Sequence, residues 1–135
     1  MVNIGMVGIG GYAGAYLNTL EQLEKKGVCR LHAIVIRNPK KYEWNINRWQ
    51  LNQKNINIYS TIDEMVAANG KKISIIALPV GIPSHMPMSI QCMQAGYNVI
   101  CEKPPAATIQ DIDAMIECSN KTRTLLASRR KHRRE

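Results

Sequence analysis

The chain has 135 residues, 45% of them hydrophobic and 21% charged, with a formal net charge of +8. That length suits one compact domain with a real core, is small for a whole two-substrate enzyme, and has the composition of an ordinary soluble globular protein. No apolar run approaches the roughly 20 residues of a membrane-crossing helix, and the first residues lack the basic start and unbroken apolar run of a signal peptide. The expectation is therefore a cytoplasmic protein without a membrane partner.

The charge is unevenly placed. Residues 129–135 carry five basic side chains and one acid, so +4 of the +8 lies in that tail. A basic tail can bind nucleic acid, but no interleaved aromatics or nucleic-acid motif accompany it, which argues against that partner. The remaining positive charge favours anionic small molecules. Cys29, Cys92, Cys101 and Cys118 are scattered with no CxxC pair. Zinc and redox sites need closely spaced thiols, so these read as buried small hydrophobes and no metal is expected.

In chain order, Val2 to Val7 is a short β-rich apolar run ending at Gly8. Tyr12 to Lys26 follows with apolar residues at Tyr12, Tyr16, Leu17, Leu20 and Leu23, the one-face spacing of an amphipathic helix, and Gly27 stops it. Val28 to Ile36 reads as a second strand, with Asn38-Pro39 as the turn after it. Lys40 to Asn57, rich in Asn and Gln, reads as irregular or weakly helical. Asn57 to Tyr59 makes a short third strand. Ser60 or Thr61 then caps a helix over Ile62 to Ala68, with Asp63 and Glu64 in its first turn.

Ile73 to Leu78 is a continuous apolar run, as in a parallel strand buried on both faces. A helix over Ser84 to Ala95 leads through Gly96 to a strand at Tyr97 to Cys101. A last helix over Ile109 to Ser119 opens after Thr108, and a final strand covers Thr124 to Ala127. Strands alternating with helices imply an α/β fold: a doubly wound, mainly parallel six-stranded sheet in the order 3-2-1-4-5-6. The division expected is one domain over residues 1–128 and a basic tail over 129–135.

The sharpest local signal is Gly8-Ile9-Gly10-Gly11-Tyr12-Ala13-Gly14, which satisfies G-x-G-x-x-[G/A] between a strand and a helix. The first glycine permits a tight turn, the second permits close backbone approach to a pyrophosphate, and a small third residue, Ala13, lets helix and strand pack closely. The helix N-terminus then offers free N–H groups and a positive dipole end to the anion. This is the dinucleotide-binding turn of a Rossmann domain. An acid is expected some 20 residues on, to hold the adenosine ribose. Ile36 stands there instead, followed by Arg37, Asn38, Lys40 and Lys41. An acid would repel a 2′-phosphate, whereas Arg37 can pair with one, so NADP is preferred over NAD.

The stretch from Leu78 to Thr108 adds Pro79, His85, Ala95-Gly96 and Val99-Ile100-Cys101-Glu102-Lys103-Pro104. Taken with the glycine turn, this order resembles the N-terminal domain of the glucose–fructose oxidoreductase/inositol dehydrogenase (Gfo/Idh/MocA-like) family, over residues 2 to 128. The resemblance implies that Gly8, Gly10, Gly11 and Ala13 line the pyrophosphate, that Tyr12 is also among the cofactor-binding residues, and that Leu78 and Pro79 flank the dinucleotide. It also implies that Glu102 and Lys103 sit beside the nicotinamide ribose, with Lys103 as the catalytic residue that orients the substrate hydroxyl. A cation after a strand's carboxyl end can stabilise oxygen charge as hydride moves.

By the same resemblance the chain is the NAD(P)-binding part of an oxidoreductase acting on a sugar or polyol. The segment from Pro79 to His85 is a residue or two longer than the family's, and His85 reads as structural rather than as a base. The family's second domain, which supplies the acid/base and most of the sugar pocket, is not in these 135 residues, so the chain by itself is expected to turn over little. A stand-alone nucleotide-binding or regulatory module is the alternative, and a homo-oligomer is compatible with either.

Overall fold

The computed structural model describes residues 1–102, 106 and 108–129. Six parallel strands form one sheet: β1 (Val2–Val7), β2 (Cys29–Val35), β3 (Asn57–Tyr59), β4 (Ile75–Leu78), β5 (Asn98–Glu102) and β6 (Leu126–Arg129). Their spatial order is β3-β2-β1-β4-β5-β6, the doubly wound order expected from the alternation of elements. The crossovers carry α1 (Ala13–Lys25), α2 (Glu43–Arg48), α3 (Ile62–Asn69), α4 (Ile82–Gln94) and α5 (Ile109–Thr122).

Side chains alternate across a strand, so each strand feeds two cores. In β4, Ile76 and Leu78 join the core under α3, α4 and α5, while Ala77 joins the one under α1 and α2. Met6 and Val7 of β1 divide in the same way. Met6, Ile34, Leu78 and Met93 are fully buried, each worth about 1.5–3 kcal/mol of transfer free energy. This double burial is why the central strands are written as near-continuous apolar runs.

Two local devices adjust the sheet. The pairing of β1 with β2 slips between Ile4 and Gly5, so that Ile4 faces Leu31 and Gly5 faces Ala33. A Cβ on Gly5 would lie 3.2 Å from the Met65 sulfur, so the bare backbone lets α3 press onto β1.

Several boundaries differ from the expectation. α4 starts at Ile82, ahead of Ser84, because Pro83 sits in the first turn, where its missing N–H costs nothing. The Asn-rich stretch holds a 3-10 turn over Pro39–Tyr42 followed by the short α2. α5 runs on to Thr122, which shifts β6 toward the C-terminus. Residues 130–135, most of the expected basic tail, lie outside the described residues.

Candidate functional site

β1 ends in the glycine turn. Gly8 has φ +95° and Gly11 φ +58°, conformations in which a side chain would be strained. The Gly8 amide donates to the Val35 carbonyl at 2.8 Å, which fixes the turn to the end of β2. From there Ala13 N donates to Gly10 O at 3.2 Å and α1 begins. No side chain caps α1 and no acid lies in its first turn. α3 and α5, by contrast, are capped by Thr61 and Thr108. Ala13 N, Gly14 N and Ala15 N turn back to the Gly10, Gly11 and Tyr12 carbonyls, so what the start of α1 offers an external anion is its positive dipole end, together with the amides of the glycine turn ahead of it.

The strand order reverses between β1 and β4, and doubly wound sheets bind ligands at that switch point, beyond the carboxyl ends of the strands. A cleft of about 680 Å³ opens there. Its floor is Val7 to Gly11; Val35 to Arg37 and Tyr42 form one side. Ser60 to Asp63 from the start of α3, Pro79 and Val80 from the connection after β4, and Ser84, Met88 and Gln91 along α4 form the other. The volume lies in the range of small-molecule and cofactor sites.

Gly8, Gly10, Gly11, Arg37 and Pro79 all line this cleft. Gly10 has ordinary φ, but a Cβ there would come within 3.1 Å of the Tyr42 ring. Ala13 is wholly buried beneath the turn, where its small size brings α1 close to the sheet. Tyr12 is 77% exposed, outside the lining. Leu78 is fully buried and packs below the site, leaving Pro79 as the residue on its wall. Glu102 is half-buried at the end of β5, beyond the Leu78–Cys101 pair, and is not part of the lining. Lys103 lies outside the described residues.

The electrostatics of the mouth follow from the turn after β2. Ile36 is buried and Arg37 exposed, and the ion pairs among the described residues, Glu21 with Lys54 and Glu117 with Lys121, do not involve Arg37. The Lys41 ammonium stands 5.5 Å over the Tyr42 ring. Among the described residues, Asp63 is the one acid in the lining, and its Oδ1 accepts from Gln91 Nε2 at 2.9 Å, joining α3 to α4 along one edge. Away from the cleft, burial pushes the Cys92 thiol up to about 12, so it stays protonated in the core.

Sequence reasoning missed Tyr42, Asp63, Val80, Ser84, Met88 and Gln91 as lining residues. None stands at a fixed offset from the glycine turn. Their signal is indirect, in that they lie in the segments following β2, β3 and β4. His85 is 1% exposed and not in the lining; its Nε2 donates to the Val80 carbonyl at 2.7 Å.

Residues 2–129 match the family described as the oxidoreductase family with an NAD-binding Rossmann fold. Inositol 2-dehydrogenase of Salmonella typhimurium is 25% identical over 121 residues, 87% of this chain and 33% of that protein. The WlbA dehydrogenase of Bordetella pertussis, solved with NADH and UDP-GlcNAcA, superposes with a TM-score of 0.81 at 20% identity, covering 95% of this chain and 36% of that one. D-galactose-1-dehydrogenase of Rhizobium etli gives 0.72 at 22% identity, with 93% and 36% covered. The chain spans about a third or less of the curated relatives it matches.

Proposed function

Because the chain belongs to the oxidoreductase family with an NAD-binding Rossmann fold, we propose that it binds a nicotinamide dinucleotide across the β1/β4 crevice, with NADP(H) preferred, and serves an enzyme that oxidises or reduces a sugar or polyol. The observation that carries the reading is the uncapped, acid-free start of α1 beneath the Gly8–Gly11 turn, at the floor of a cofactor-sized cleft. The substrate class rests on relatives named inositol 2-dehydrogenase and D-galactose-1-dehydrogenase.

The bound dinucleotide supplies or accepts the hydride. The backbone amides of the glycine turn, with the dipole end of α1 behind them, hold its pyrophosphate, and Gly10 presents no side chain to keep it away. Arg37, exposed beside a strand end that lacks the usual acid, pairs with a 2′-phosphate. Pro79 and Val80 close the facing wall. Lys103, by its place after β5, holds the substrate oxygen and steadies the charge that develops on it as hydride moves.

Calorimetric titration of NADH and NADPH into the chain tests this reading. The unmutated protein binds both, NADPH more tightly. Gly10→Val abolishes both while thermal unfolding stays cooperative. Arg37→Ala weakens NADPH by roughly five- to thirtyfold, the range of a solvent-screened charge-assisted bond, and leaves NADH unchanged. Unaltered affinity in Gly10→Val overturns the site, and equal affinity of the unmutated chain for the two cofactors overturns the role of Arg37.

A further inference from the structure

The wall facing the glycine turn is built from very little. β4 ends at Leu78, held in register with Cys101, and α4 begins at Ile82. Only Pro79, Val80 and Gly81 connect them. Gly81, the residue before the helix, has no side chain with which to cap it, and Pro83 contributes no N–H. A backbone bond across the entry runs from Ser84 N to Gly81 O, at 3.0 Å. Nothing in it restrains Val80.

Val80 nonetheless has a demanding place. Its Cγ1 lies 3.9 Å from where a Cβ of Gly8 would stand, so its side chain faces the bare first glycine across the cleft and bounds the space there. Its carbonyl, pointing the other way, accepts the 2.7 Å bond from His85 Nε2. The His85 ring is 1% exposed, set into the core side of α4 and walled off from solvent. An enclosed imidazole cannot wander, and a carbonyl acceptor requires the proton on Nε2. The bond therefore ties the connection to a rigid point on the helix that follows it.

We propose that His85 is a positioning residue of the cofactor cleft: without touching the dinucleotide, it fixes Val80 against Gly8 and so sets the width of the crevice where the pyrophosphate passes. The inference rests on the dinucleotide-site reading given above. Losing the donor leaves the Val80 carbonyl to seek water. The three-residue connection then rotates, and the Val80 side chain leaves its place over the glycine turn. Because that wall is common to both cofactors, the effect falls on NADH and NADPH alike, unlike the effect of Arg37.

Three variants of the 135-residue chain test it, each titrated with NADH and NADPH and followed by thermal unfolding. His85→Gln keeps an amide donor at a similar reach, and its affinities stay within about threefold of the parent. His85→Leu fills the same space without a donor and weakens both cofactors by roughly tenfold, the scale of one lost buried hydrogen bond. Val80→Ala leaves the donor and removes the wall. It weakens both cofactors while folding normally, which keeps the test decisive if His85→Leu fails to fold. Parental affinity in Val80→Ala or in folded His85→Leu overturns the proposal, as does His85→Gln weakened as much as His85→Leu. Failure of the unmutated chain to bind either dinucleotide overturns the functional reading and this inference with it; normal binding with unresponsive variants overturns the role of His85 alone.

Discussion

Ser89 follows His85 by one helical turn on the buried side of α4. It is 0% exposed, and its hydroxyl has no hydrogen-bond partner among the described residues. A buried hydroxyl without a partner loses its water and gains nothing in return, and Ala is also the better helix former. Ser89→Ala is therefore expected to stabilise the fold by roughly 1 kcal/mol, read as a higher urea midpoint; a lower midpoint sinks the expectation. At this scale the sequence was legible where chemistry demands a particular residue at a particular offset. Gly8, at φ +95°, stands where a side chain would be strained, and Arg37 was found by counting from the glycine turn. Val80 and Tyr42 were illegible because their place in the cleft comes from how two crossovers fold back, and neither residue type is required there. Leu78 was expected beside the dinucleotide but lies under the floor, since the alternation along β4 turns it into the core.

Among the elements, the helices with a Thr at the start were the easiest to read. Thr61 accepts from Glu64 N at 3.1 Å and Thr108 from Asp111 N at 3.1 Å, so both starts fall where the sequence places them. Ends were harder. α5 continues past Ser119 because the Thr122 hydroxyl turns back to the Cys118 carbonyl at 2.7 Å. It then stops on Arg123, which adopts the left-handed conformation at φ 56°. Glycine is the usual residue there, and without one the sequence gives no stop signal. Arg123 is exposed and bears the strain that a Cβ imposes in that region. Arg123→Gly is expected to stabilise the protein by about 1 kcal/mol, seen as a higher thermal midpoint. An unchanged or lower midpoint means that the unfolded chain's gain in freedom offsets the relief.

For the molecule as a whole, the α3–α4–α5 core gives stability an alkaline limit. Burial raises the Cys92 thiol from 9.0 to about 12. Tyr97 is raised as well, first by burial and then by Cys92, and its hydroxyl donates to the Gly70 carbonyl at 2.6 Å. Below about pH 9 the thiol is protonated whether the chain is folded or not, and its burial contributes in full. Between about pH 9 and 12 the unfolded chain releases that proton and the folded one keeps it, so stability falls as pH rises. Urea midpoints should drop from pH 8 to pH 11, and Cys92→Ala should flatten the drop; an equally steep fall in the variant clears Cys92 of the effect. The sheet that carries this core also imposes an order in time. β1 pairs in parallel with β4, and the Asn3 amide reaches the Lys72 carbonyl across 69 residues of chain. The glycine turn thus leaves the ribosome before Val80 and His85, which are synthesised seconds later at ordinary rates of elongation. Until then the turn has a floor and no facing wall. A nascent chain cannot be rescued early by cofactor; it must close the loop from β1 to β4 unaided, and the ligand can reward only a fold in which that pairing is already made.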